Sequence, residues 1–303
     1  MIHNKACLVA QGYFQVEGVN FDETFAPVSH MESIRVLLAL ACHLKFKLYQ
    51  MDVNTTFLNR FLKEDVYVAR PKRFIDPHFP NHVLYLKKTL YGLKQTPKAW
   101  YDRLTQYLVS HDFIRRQADQ TPFIKRENGE LIVAQVYVDD IIFGSTKDEL
   151  AYSFSKLMQA EFEMSMIGEL NHFLGLQIRQ QESGIFISQS KYTKNLVKKF
   201  RLESASSVRT PMIPNVKLIV DLLGKSINSS LYRSMIGILI YLTTSRPNIS
   251  YSVGVCVRYS ANLKESHMIA LKKIIMYVKS TADFGVWYSK DTNDVLTGYS
   301  DAD

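Results

Sequence analysis

The chain has 303 residues, 47% of them apolar, and 37 Lys and Arg against 29 Asp and Glu, for a formal net charge of +8 and a pI near 9.2. This composition excludes a disordered or fibrous chain and supplies enough apolar side chains for two compact units, while the cation excess fits an acidic partner, most simply nucleic acid. The three cysteines, Cys7, Cys42 and Cys256, lack any pairing or metal-ligand spacing, so a reducing intracellular setting is expected, with neither a disulfide framework nor a zinc site.

The N-terminal MIHNKACLVAQG has no apolar core of a signal peptide, and the longest apolar run, MIGILIYL at 235–242, falls short of the ~18 residues of a membrane span. Apolar residues at Ile34, Leu37, Leu38, Ala41 and Leu44 recur at the spacing of one helix face, and FKLYQMDV follows as a strand ending near Asp52. TPKAWYDRLTQYLVSHD reads as a helix with Pro97 near its start and Trp100, Leu104 and Leu108 on one side. Two strands around Asp139 and Asp140 come next, then a helix with Leu150, Phe154, Leu157 and Met158. HFLGLQIRQQESGIFISQS reads as a hairpin turning at Glu-Ser-Gly. Residues 203–230 are rich in Ser and Pro and read as a linker. Three helical patterns follow, near 231–244, 249–261 and 266–280, before two extended runs, FGVWYS and VLTGYSDAD.

The informative stretch is AQVYVDDIIFG. Its β-branched and aromatic flanks argue for two strands, which puts Asp139 and Asp140 at or near the turn between them. Taken alone, an Asp-Asp pair reads first as an ordinary turn. Two adjacent carboxylates held at a sheet edge, however, raise one another's proton affinity unless a cation neutralises them, and a hard divalent ion such as Mg²⁺ does so with oxygen ligands. Asp52, on a second strand end, could approach the pair, and three carboxylates are what a two-metal phosphoryl-transfer site needs.

The motifs KACLVAQGY, FDETFAPV, YQMDVNTTFLN, LYGLKQTPKAWY, YVDDIIFG, FLGLQI, LYRSMIGILIYLT, SRPNISYSV and GYSDAD occur in that order along the chain. Together they resemble the reverse transcriptase of copia-type long-terminal-repeat retrotransposons over practically all 303 residues. The resemblance implies an α+β fold of the right-hand polymerase kind. Residues 1–202 would form fingers and a palm with an antiparallel sheet, 203–230 a linker, 231–290 a helical region of thumb and connection type, and 291–303 the opening of a ribonuclease H domain. It implies an RNA-directed DNA polymerase that uses Mg²⁺ or Mn²⁺, an RNA or DNA template with a primer, and deoxynucleoside triphosphates, with no membrane partner. The oligomeric state stays open.

Carried over residue by residue, Asp52, Asp139 and Asp140 match the metal-binding carboxylates, Asp140 with the lesser role, and Val53 would lend a backbone carbonyl. Phe57 matches the ring that excludes a 2′-hydroxyl, and Gln95 the glutamine of the nucleotide pocket. Tyr137, two residues before Asp139 on the same strand face, would lie near the primer end. Leu174 and Gly175 resemble the turn that grips the primer strand, and Lys5 would offer charge to the triphosphate. Asp301 matches the first aspartate of the ribonuclease H site; its companion carboxylates are absent from the sequence, so no such activity is expected.

Some positions depart from the family pattern, which usually has Arg where Cys7 stands, Ala at Thr56 and Thr96, and Gly at Arg60 and Arg73. Each departure can arise from a single transition, the mark of an ageing genomic copy. The alternative reading is therefore a catalytically silent relic that retains the fold and at most binds nucleic acid.

Overall fold

The computed structural model describes residues 8–53, 61–117, 119–212 and 218–291, and the chain divides into two compact units, Met1–Glu169 and Leu170–Asp303. Lys5, Phe57 and Asp301, expected above as site residues, and Cys7, Thr56 and Arg60, which depart from the family pattern, lie outside the described residues. Among the described residues no helix is long and apolar enough to cross a membrane.

The first unit contains, in order, α1 (Met31–His43), β1 (Leu48–Val53), β2 (Phe61–Val68), β3 (Leu84–Lys88), α2 (Thr96–Ser110), β4 (Ile114–Arg115), β5 (Pro122–Glu127), β6 (Glu130–Tyr137), β7 (Asp140–Ser145), α3 (Asp148–Glu161) and β8 (Met164–Glu169). Six strands form one sheet in the order β4-β5-β6-β7-β1-β8, while β2 and β3 pair apart as a ribbon. Every pairing of the large sheet is antiparallel. Strand side chains alternate between faces. Met51, Val53, Val136, Ile141 and Phe143 accordingly pack against Trp100, Leu104, Phe154 and Met158 from α2 and α3 in one buried core. Apolar residues at i, i+4 and i+8 in α2 (Trp100, Leu104, Leu108) give that helix the buried face its sequence predicts.

The second unit holds β9 (His172–Phe173), β10 (Leu176–Gln181), β11 (Gly184–Ser188), α4 (Ser190–Lys199), α5 (Ser229–Leu242), α6 (Ser250–Val257), α7 (Glu265–Ser280) and β12 (Gly285–Ser289). Its sheet runs β12-β11-β10-β9, and Leu196, Tyr232, Leu239, Val253, Leu271 and Ile275 share its core. The predicted hairpin is present as β10 and β11, closed where Gln181 faces Gly184. β11 also pairs with β12, which ties the hairpin to the C-terminal helices. The division between the compact units falls at Glu169 and Leu170.

Residues 218–228 do not behave as a free linker. The Tyr259 hydroxyl donates to the Leu218 carbonyl, and His267 Nε2 contacts the Ile219 carbonyl at 2.8 Å. Ser266 Oγ donates to Asp221 Oδ2 at 2.6 Å, and the Glu265 N–H to the Lys225 carbonyl at 3.0 Å. Helix α4 and the ribbon β2–β3 have no counterpart among the sequence-based expectations.

Candidate active site

Tyr137 faces Asp140 across the β6–β7 hairpin, so Val138 and Asp139 are its two-residue loop. Two-residue loops need a positive φ at their first central position to match strand twist. Val138 supplies it at φ +51° although it is β-branched, a conformation that is uncommon and strained for such a residue. Three long-range hydrogen bonds hold the loop. The Val138 N–H donates to the Pro27 carbonyl at 2.9 Å, and Trp100 Nε1–H donates to the Val138 carbonyl at 3.0 Å. The Val53 N–H donates to the Asp139 carbonyl at 3.1 Å, which ties the loop to the end of β1.

Asp52 lies directly opposite Asp140 in the β1–β7 register. Cross-strand partners share a face, so Tyr137, Asp140 and Asp52 form one row across three strands. The two-residue spacing from Tyr137 to Asp139 does not put those two on one strand face, because Asp139 belongs to the loop; Tyr137 instead shares a face with Asp140. Gln50, two residues before Asp52 and on its face, donates from Nε2 to Asp140 Oδ1 at 2.8 Å. Burial pushes the Asp140 carboxyl above the ordinary carboxylate range; the Gln50 bond opposes this, and the charge of Asp52 adds to it.

Two carboxylates opposed on neighbouring strands are the oxygen-donor chemistry of a hard divalent cation. Asp52 and Asp140 fit such an ion. Among the described residues, however, no group of three or more His, Cys, Asp or Glu side chains is placed to hold a metal. Asp52 and Asp140 oppose each other on strands, Asp139 sits on the loop tied to the same strand end, and Gln50 occupies one Asp140 oxygen.

Gln95, at the start of α2, is 3% exposed. Its Oε1 accepts from Gln15 Nε2 at 3.0 Å, and its own Nε2 has no hydrogen-bond partner among the described residues. It lines a cavity of about 230 Å³ together with Phe61, Lys63, Lys98 and Asp102. A buried amide with no partner has donor capacity to spare. Thr96 beside it is buried, and its hydroxyl donates to the Leu90 carbonyl at 3.0 Å, so the threonine is accommodated. Arg73 is exposed in the short turn Lys72–Phe74 and is not among the residues of positive φ.

In the second unit, Phe173 pairs with Leu176, leaving Leu174 and Gly175 as a two-residue loop with φ of +46° and +77°. Positive φ at both positions is the hairpin turn that Gly accepts most readily, and a Cβ on Gly175 would meet the Tyr241 hydroxyl at 3.0 Å. Sequence reasoning did not single out Gln50 or the loop contacts of Trp100 and Pro27. A polar residue two places before Asp52 on a strand was the only available signal for the first; the others depend on the tertiary fold.

The chain matches a family described as reverse transcriptase (RNA-dependent DNA polymerase) over residues 1–214. It is 36% identical over 299 residues to the retrovirus-related Pol polyprotein from transposon RE1 of Arabidopsis thaliana, covering 99% of this chain and 20% of that protein. Against the Pol polyprotein from transposon TNT 1-94 of Nicotiana tabacum the identity is 31% over 313 residues, covering 100% and 24%. A putative transposon Ty5-1 protein of Saccharomyces cerevisiae is 26% identical over 254 residues, covering 83% and 82%. The chain spans about a fifth to a quarter of the length of the plant polyproteins it matches. By this match and by the nearly full-length similarity to plant Pol polyproteins, the chain belongs to the reverse transcriptase (RNA-dependent DNA polymerase) family of copia-type retrotransposon Pol polyproteins.

Proposed function

We propose that the chain is an RNA-directed DNA polymerase that extends a primer on an RNA or DNA template with deoxynucleoside triphosphates. Residues 1–202 would serve as fingers and palm, and the helical region 231–290 as thumb and connection. The observation that carries this reading is the opposition of Asp52 and Asp140 across β1 and β7, with Asp139 tied to the same strand end through the Val53 N–H.

Asp52, Asp139 and Asp140, with the Val53 carbonyl, would hold Mg²⁺ or Mn²⁺. When bound there, the cation supplies charge neutralisation and activation of the primer 3′-hydroxyl. The chain's own part is positioning. Trp100, Pro27 and Val53 keep the aspartate loop fixed, so the carboxylates need not reorganise during reaction. Gln95 would donate its unpartnered amide to the nucleotide, with Phe57 selecting the deoxyribose and Lys5 meeting the triphosphate. Tyr137 would border the primer end, and the Leu174–Gly175 loop would grip the primer strand. Asp301 would correspond to the first aspartate of a ribonuclease H site.

Primer extension on an RNA template with Mg²⁺ tests the reading: the chain should extend the primer, and an Asp139→Asn variant should not. The bond from Gln50 to Asp140 and the lack of a three-carboxylate cluster among the described residues favour a second reading, a silent relic that binds nucleic acid. A well-folded preparation that binds primer–template and extends nothing supports that second reading.

A further inference from the structure

The β2–β3 ribbon displays rings that its own packing does not use. Tyr67 and Tyr85 are register partners, with ring centroids 5.3 Å apart and planes tilted by 43°, yet they are 63% and 50% exposed. A cross-strand aromatic pair normally contributes by being covered. Here the pair stays half exposed or more, with Tyr67 also bordering a cavity lined by Gly12 and Phe14. The Tyr85 hydroxyl donates to Asp65 Oδ1 at 3.0 Å, which fixes the orientation of one ring. Phe61 at the ribbon's start and Phe74 and Phe79 between its strands are also exposed.

Charge points to the occupant. Residues 61–88 carry Lys63, Arg70, Lys72, Arg73, Lys87 and Lys88 against Glu64, Asp65 and Asp76, a net charge of +3. Lys87 stands two residues from Tyr85 along β3 and so on its face. Exposed rings beside cations are the surface that unpaired bases and their phosphates need; a duplex keeps its base faces stacked internally and cannot use the rings. We propose that the β2–β3 ribbon is a platform for single-stranded nucleic acid, with bases stacked on Tyr67 and Tyr85 and phosphates along Lys87 and its cationic neighbours.

The proposal rests on the nucleic-acid reading of the first unit but not on catalysis. The full chain is titrated against labelled oligo(dT) and against a blunt duplex, with thermal melts to verify folding. The double variant Tyr67→Ala/Tyr85→Ala should lose about tenfold in oligo(dT) affinity per ring and little in duplex affinity. Tyr67→Phe/Tyr85→Phe, which keeps the rings and drops the hydroxyls, should bind like the parent. Lys87→Gln/Lys88→Gln should lower the slope of log affinity against log salt by about one to two. Oligo(dT) binding is measured on the parent chain whether or not it extends a primer, so failure of primer extension and failure of the platform are read separately. Equal oligo(dT) binding by the alanine variant overturns the proposal. So does a matching loss on the duplex, or a loss of self-association or of binding to anionic vesicles with oligo(dT) affinity intact.

Discussion

Val138 holds a left-handed backbone, φ +51°, in the loop that carries Asp139. A β-branched residue there costs on the order of 1 to 3 kcal/mol, and such strain persists only when the surroundings over-determine it. Its N–H and C=O are both engaged, by Pro27 and Trp100. Val138→Gly should relieve the strain and leave stability within about 1 kcal/mol of the parent or slightly above it, because glycine's unfolded-state entropy offsets part of the gain. Urea unfolding checks this; a loss beyond about 1 kcal/mol would mean that the valine side chain, not the loop's hydrogen bonds, holds the turn. Asp140 carries a second local cost. Its carboxyl binds a proton more tightly folded than unfolded, so it destabilises the fold above its raised pKa, and the penalty disappears as pH falls below the ordinary carboxylate range. Asp140→Asn should melt about 1 to 2 °C above the parent at neutral pH and converge with it near about pH 3; the group is half-exposed, so solvent keeps the effect small. Parallel melting curves at both pH values would rule this out.

The elements around the site were legible to different degrees. Helix α2 announces itself through Trp100, Leu104 and Leu108, all buried as their spacing predicts. What that spacing does not convey is the second task of Trp100, whose indole N–H reaches 38 residues along the chain to the Val138 carbonyl. Trp100→Phe should cost about 2 to 4 kcal/mol, combining lost packing with an unpaired buried carbonyl. Any primer-extension activity should fall at temperatures where the fold persists. An unchanged rate would separate loop position from catalysis. In the second unit, the Asn228 side chain accepts from the Ser230 and Leu231 N–H groups and caps α5. Asn228→Ala should therefore cost about 1 kcal/mol in denaturant unfolding. Helix α4 escaped sequence reading because only Thr193, Leu196 and Val197 are buried among many polar residues. The ribbon β2–β3 escaped it because apolar and polar residues do not alternate in FLKEDVYV or LYLKK, although the burial of β2 does.

At the scale of the whole molecule, the two cores share no residue: one gathers Met51 to Met164 and the other Leu196 to Val278. Leu104→Ala and Leu271→Ala, both at fully buried positions, should each cost about 2 to 5 kcal/mol, and in calorimetry each should lower a different transition. A single transition shifted equally by both would show that the units unfold as one. The net charge of +8 belongs to the same scale and predicts primer–template affinity that falls steeply with salt.

The sequence alone determined the apolar faces of α1 and α2, the presence of α3, α5 and α7, the β6–β7 and β10–β11 hairpins, and the family, since helical and strand periodicities and turn chemistry are local and survive in one dimension. Only the tertiary structure decided that Asp52 opposes Asp140 in register, that Tyr137 pairs with Asp140 and not with Asp139, that Gln50 takes one carboxylate oxygen, and that residues 218–228 are clasped by α7 and Tyr259. Those facts depend on which strands become neighbours and in what register, and register is set by the packing of an entire sheet against its helices.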